Sequence, residues 1–112
     1  MHDVAALDRL RTIASTPEAM GRLVASFLDN GASLVAQLAD AAATGDIHVL
    51  RRHAHTLKSN AASFRATDLA DVCGRLEAKA RVGDATNAPV LAAAIAAAFG
   101  GTREVLVQVV AP

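Results

Sequence analysis

The sequence predicts an all-α fold: an antiparallel four-helix bundle with a short additional helix at the N-terminus. Three features carry that expectation. Apolar residues make up 53% of the chain but aromatics only 3%, with neither Trp nor Tyr. Such an alanine- and leucine-rich, aromatic-poor composition favours helix over strand. Apolar positions recur at spacings of three and four, the period of a helix with one buried face. Short groups of Gly, Pro, Ser, Thr and Asp separate these stretches, as helix stops and caps require. The 112 residues suit one compact domain spanning 1–112, large enough to fold around its own core without disulfides or metal.

Five helical segments are expected. A short one from Val4 to Ile13 places Val4, Leu7 and Leu10 on one side. Thr16 then offers an N-cap and Pro17 a first helical residue, where its missing donor costs nothing. The long helix that follows should run to about Ala43, with Met20, Leu23, Phe27, Gly31, Leu34, Leu38 and Ala41 as its apolar stripe. Asp29-Asn30-Gly31 has turn chemistry inside that stripe. The period nevertheless continues through it, and a mid-helix glycine costs only about 1 kcal/mol relative to alanine, so one unbroken helix is expected. Thr44-Gly45-Asp46 ends it and caps the next.

The third segment runs from about Ile47 to Phe64, burying Ile47, Leu50, Ala54, Leu57, Ala61 and Phe64. The fourth, capped by Thr67 or Asp68, runs to about Val82 with Leu69, Val72, Cys73, Leu76 and Ala80 inward. The fifth, about Ala88 to Val109, carries Val90, Leu91, Ile95, Phe99, Leu106 and Val109, and Gly100-Gly101 is the place where it could kink or split. The last four segments have short connections and form the antiparallel bundle; the first packs across one end.

Composition also bounds function. Eleven basic and eleven acidic side chains leave zero net charge, which argues against nucleic acid as the main partner. The opening MHDVAALDRL lacks a secretory pattern, because acids interrupt its apolar residues. The longest apolar run, Pro89 to Phe99, is mostly alanine and too short to span a bilayer. The lone Cys73 excludes an internal disulfide and suits a reducing cytoplasm. A cytoplasmic monomer without membrane or metal is the expectation.

On the third segment, at about 100° per residue, His55 points roughly 130° away from the core stripe, toward water. His48, Arg51, Arg52, Lys58, Ser59 and Ala62 share its side at offsets of three, four or seven. Neighbouring cations favour neutral imidazole, which is the nucleophilic form, and would stabilise an incoming phosphoryl dianion. Spacing alone favours a plainer reading, a solvated basic helix face. His53 points to the flank of the core, and His2 and His48 read as surface residues. Cys73 reads as a buried, inert thiol rather than a zinc ligand with His53 and His55, because zinc spacing motifs are absent.

The stretch from His55 to Glu77, HTLKSNAASFRATDLADVCGRLE, resembles the signature of histidine-containing phosphotransfer (HPt) domains, H-x-L-K-G-[SA]-[SA]-x-x-[LIV]-G-A-x-x-L-x-x-x-C-x-x-L-E. His55, Leu57, Lys58, Ala61, Phe64, Ala66, Leu69, Cys73, Leu76 and Glu77 fall in register without a gap. The resemblance implies that His55 is the phosphorylated histidine and that Lys58 helps hold the phosphoryl oxygens. It implies that Glu77, on the adjacent helix, bonds the active imidazole, and that Arg81, one turn on, adds charge at the phosphate or pairs with Glu77. A carboxylate accepting from Nδ1–H would leave Nε2 free to attack phosphorus. Two positions depart from the pattern: Ser59 and Arg65 stand where glycine is usual. Serine is small enough to leave room for a partner. Arginine costs about 1 kcal/mol if its backbone must be left-handed.

By the same resemblance the partners are response-regulator receiver domains and a hybrid sensor histidine kinase. Mg²⁺ would be held on the receiver, and the chain would need no cofactor of its own. It would be a reversible phosphohistidine carrier without autokinase activity, since no nucleotide-binding glycine loop is present. A docking patch around His55 would use Ala54, Ser59 and Ala62 for close approach, ringed by charge from His48, Arg51, Arg52 and Arg81. Two competing readings remain: a phosphotransfer-silent helical adaptor, and a nucleic-acid binder using Arg51, Arg52, Lys58 and Arg65. The initial methionine and the lack of a linker lean toward a free-standing protein.

Overall fold

The computed structural model describes residues 16–110. Among them are four α-helices: α1 (Pro17–Thr44), α2 (Ile47–Ser63), α3 (Thr67–Arg81) and α4 (Ala88–Val110). Each helix packs on its chain neighbour, and α4 closes the ring against α1. The bundle measures 43 × 20 × 18 Å. Its long axis matches α1, whose 28 residues rise about 1.5 Å each. The expected Val4–Ile13 helix lies outside the described residues.

Local chemistry explains the starts. The Thr16 hydroxyl accepts from Ala19 N–H at 3.0 Å, with Pro17 next in line. Asp46 caps α2 by accepting from Val49 N–H at 3.2 Å. At α3 the expected cap is corrected: neither Thr67 nor Asp68 performs it. Ala66 is the cap residue and offers no side-chain bond, because the tight turn before it already fixes the chain's entry.

The three turns between helices share one geometry. Gly45, Arg65 and Gly83 adopt φ of 71°, 55° and 73°. The amides of Asp46, Ala66 and Asp84 reach back to the carbonyls of Ala41, Ala61 and Lys79 at 3.0, 3.0 and 2.9 Å. This is the Schellman closure, whose left-handed residue is normally glycine. Arg65 therefore carries backbone strain that Gly45 and Gly83 do not.

The core follows a strict alternation of four and three. Met20, Val24, Phe27, Gly31, Leu34, Leu38 and Ala41 are buried on α1, Leu50, Ala54, Leu57 and Ala61 on α2, and Leu69, Cys73, Leu76 and Ala80 on α3. That is the seam of helices packed nearly antiparallel. Leu23 is corrected: it is 38% exposed, and Val24 takes its place at 2%. Val90 is likewise exposed, while Ile47, Val72 and Val109 are only partly buried. On α4 the register includes Thr102, a polar residue at 2% exposure whose hydroxyl bonds the Ala98 carbonyl at 3.1 Å.

Both glycine warnings resolve in favour of helix. α1 runs unbroken through Asp29-Asn30-Gly31, and α4 runs unbroken through Gly100-Gly101. Gly31 faces the Phe99 ring so closely that a Cβ there would overlap it. Phe99 and Phe64 flank Phe27 at centroid distances of 6.1 and 4.6 Å. Glycine at 31 thus admits an aromatic cluster. Continuity of α4 also corrects the length reading of its apolar run. At 23 residues the helix is long and apolar enough to cross a bilayer, yet Leu91, Ile95, Phe99 and Leu106 are packed into the bundle core.

Candidate functional site

The third turn of α2 lifts His55 into solvent, because Ala54 and Leu57 on either side of it are fully buried and fix the helix rotation. Its side chain is 59% exposed, whereas that of Glu77, contributed by α3, is 4% exposed. The two meet at 2.8 Å between Nδ1 and Oε2. Glu77 lies beside Leu76 and one turn before Ala80, both on the buried stripe of α3, so its carboxylate is delivered to the α2–α3 seam.

Three basic groups converge on this carboxylate. Lys58 Nζ lies 2.5 Å from Oε1. Arg81 Nη2 donates to Oε2 at 3.0 Å, sharing that oxygen with His55. The Lys58 hydrogen bond does most to hold Glu77 below the usual carboxylate range; burial opposes it, and His55 adds to the lowering. An ionised carboxylate only accepts hydrogen bonds. The hydrogen of neutral His55 therefore resides on Nδ1, and the Nε2 lone pair at the far edge of the ring is free.

Gly74 was not singled out by the sequence. It lies on α3 one turn before Ala78, and a Cβ there would be 3.4 Å from Lys58 Cδ. The stem of Lys58 thus lies against bare backbone on its way to Glu77. A glycine inside a helix that shows no break is the signal for such close approach.

The structure brings together His55, Lys58, Glu77 and Arg81. The open question about Arg81 resolves as an i,i+4 ion pair with Glu77 inside this cluster. Arg51, Arg52 and His48 are exposed on the turns before His55, and Ser59 and Ala62 are exposed on the turns after it. Ala54 is corrected: at 0% exposure it belongs to the core and forms no part of a docking patch. His53 is half-buried, and burial followed by the charge of Arg52 lowers its pKa. Burial pushes the Cys73 thiol up to about 12, leaving it protonated and unreactive. Among the described residues no group of His, Cys, Asp and Glu is arranged to hold a metal.

Comparison with known proteins agrees with this fold. The Hpt domain family matches residues 22–104. The chain resembles the crystal structure of histidine-containing phosphotransfer protein B from Pseudomonas aeruginosa PAO1, at 28% identity and a TM-score of 0.89, covering 97% of this chain and 93% of that one. No curated protein sequence matches the chain.

Proposed function

This chain belongs to the Hpt domain family, the histidine phosphotransfer carriers of phosphorelays, and on that premise we propose that His55 accepts a phosphoryl group from a receiver-domain aspartate and passes it to a second receiver. The observation that carries this reading is the 2.8 Å contact between exposed His55 Nδ1 and buried Glu77 Oε2.

The chemistry follows from that contact. Nε2 attacks phosphorus in line, the bond from phosphorus to the aspartyl oxygen breaks, and the carboxylate leaves with its electron pair. The ring, still bearing Nδ1–H, becomes cationic, and Glu77 stabilises it as charge develops. Lys58 and Arg81, with side chains 37% and 58% exposed, are free enough to turn from Glu77 to the phosphoryl oxygens. The new positive charge on the ring offsets their departure from the carboxylate. Because Nε2 is both entering and leaving group, the same geometry serves the return transfer. Mg²⁺ belongs to the receiver in this reading, and the protein works as a cytoplasmic monomer between a hybrid sensor kinase and a response regulator.

The test is direct. Receiver domains carrying labelled aspartyl phosphate are mixed with the wild-type chain and with His55→Gln. Label should pass to the wild type and not to the variant, with both retaining the same helical circular dichroism. Absence of label on the wild type with every receiver tried, or undiminished label on the variant, would overturn the assignment.

A further inference from the structure

We propose that Gly74 is a positioning residue for phosphoryl transfer: it leaves a notch in α3 that holds the stem of Lys58, so that the ammonium is parked on Glu77 and reaches an incoming phosphoryl group by turning only its tip. The inference rests on the carrier reading above and adds to it a residue that acts through Lys58.

Two contacts fix the register of α2 against α3. His55 meets Glu77 at 2.8 Å, and Lys58 meets the position of a Cβ at Gly74. His55 and Lys58 are three residues apart, as are Gly74 and Glu77, which is about 4.5 Å along each helix axis. Lys58 is thus level with Gly74 and not with the carboxylate it serves. Its side chain runs along the seam by most of a turn before Nζ meets Glu77 Oε1. A side chain at position 74 would stand at the root of that path.

Nothing else in the structure calls for glycine there. Position 74 lies in the middle of α3, and its backbone has no positive φ, unlike Gly45 and Gly83. A glycine inside a helix weakens it. A Cβ at Gly21, Gly100 or Gly101 would meet open space, whereas at Gly74 it would meet Lys58 Cδ at 3.4 Å and no other atom within 4 Å. At that distance a methyl just fits, and a branched side chain does not. Lysine stems are rotamer-rich, and one ordered in advance has less freedom to lose when the phosphoryl group arrives.

The first test needs no variant. Proton NMR of the wild type should show cross-peaks between the δ protons of Lys58 and the α protons of Gly74. Phosphoryl transfer is then measured in a single turnover from a saturating receiver carrying labelled aspartyl phosphate. Gly74→Ile should be slower by about tenfold, the value of one charge-assisted hydrogen bond, with receiver affinity unchanged. Gly74→Ala should lose less. In a Lys58→Ala chain, which has no stem to displace, Gly74→Ile should cost nothing further. Carbon-13 titration should place the Glu77 carboxyl of Gly74→Ile closer to the ordinary 4.5, because the Lys58 hydrogen bond is the largest of the effects holding it down. Missing cross-peaks, a wild-type rate and titration in Gly74→Ile, or as great a loss in Gly74→Ala would overturn the proposal. So would equal slowing by Gly74→Ile with and without Lys58, which marks a merely structural role. Should Gly74→Ile lose its helical circular dichroism, the cross-peaks and the Gly74→Ala titration, expected near that of the wild type, decide. A wild-type chain that takes no phosphoryl group from any receiver removes the carrier reading, and the cross-peaks and titration still report whether the notch holds Lys58.

Discussion

Replacing Glu77 should separate the stability of this site from its chemistry. The Oε2–Nδ1 hydrogen bond is 2.8 Å long, and its carboxylate is buried. A hydrogen bond to a charged group is worth about 1.5–3 kcal/mol. If the bond is worth that much more as the ring becomes cationic on attack, its loss slows transfer by about 10- to 100-fold, at 1.36 kcal/mol per factor of ten. Glu77→Leu should therefore slow single-turnover transfer from a saturating phosphorylated receiver by that factor. Glu77→Gln, whose amide oxygen still accepts, should lose less than tenfold, as expected of a neutral hydrogen bond worth about 0.5–1.5 kcal/mol. Stability should hardly follow. Lys58 and Arg81 are exposed enough to turn to water when their anion is removed, and exchanging a buried ionic cluster for a hydrocarbon of similar volume is often neutral. Urea denaturation should place Glu77→Leu within about 1 kcal/mol of wild type. Quench-flow transfer and nitrogen-15 NMR of the His55 ring are the assays. Wild-type transfer by Glu77→Leu, or a wild-type ring carrying its hydrogen on Nε2, would refute the reasoning.

Three other outcomes are expected. The pKa of Glu77 is lowered from its ordinary 4.5, so its ionised form stabilises the fold fully above that value, and the contribution disappears as pH falls through the folded value; urea midpoints from neutral pH into acid should fall more for wild type than for Glu77→Leu, and parallel falls would contradict this. Gly31→Ala should destabilise by about 1–3 kcal/mol despite alanine's better helix propensity, because the new methyl meets the Phe99 ring; Phe99→Leu in the same chain should recover part of that loss, and simple additivity of the two would show that the ring is not the obstacle. Arg65→Gly should gain about 1 kcal/mol by relieving the φ of 55°, visible as a higher urea midpoint, whereas Arg65→Ala should show no such gain.

Much of this fold was legible because two signals coincide. Glycine and capping residues mark the helix ends at Thr16-Pro17, Gly45-Asp46 and Gly83, and the apolar period names most of the core. Where the reading failed, it followed hydrophobicity rather than register. Leu23 and Val90 are more apolar than their surroundings yet face water, while Thr102 is polar yet lies in the four-three alternation and is buried. Strict alternation would have selected Val24 and Thr102. Gly31 and the pair Gly100-Gly101 show the limit of local chemistry: in a tightly packed bundle a glycine can mark a close neighbour, as Phe99 is for Gly31, rather than a break.

The site was legible in its members but not in its wiring. The spacing of α2 put His55 outward with Lys58 on its side, and the family resemblance supplied Glu77 and the role of Lys58. That Arg81 and His55 share Oε2 while Lys58 takes Oε1 depends on rotamers across two helices, which no linear pattern encodes. The left-handed backbone of Arg65 was legible only as a condition, since arginine does not announce a positive φ as glycine does.

The central claim is that Nε2 of His55 is the atom that carries phosphate while Glu77 holds Nδ1. Phosphorus–proton correlation NMR of the chain after transfer from a phosphorylated receiver tests it most directly. A single acid-labile phosphohistidine on residue 55, bonded through Nε2, is the expected result. Phosphate on Nδ1, or on His48 or His53 instead, would contradict it.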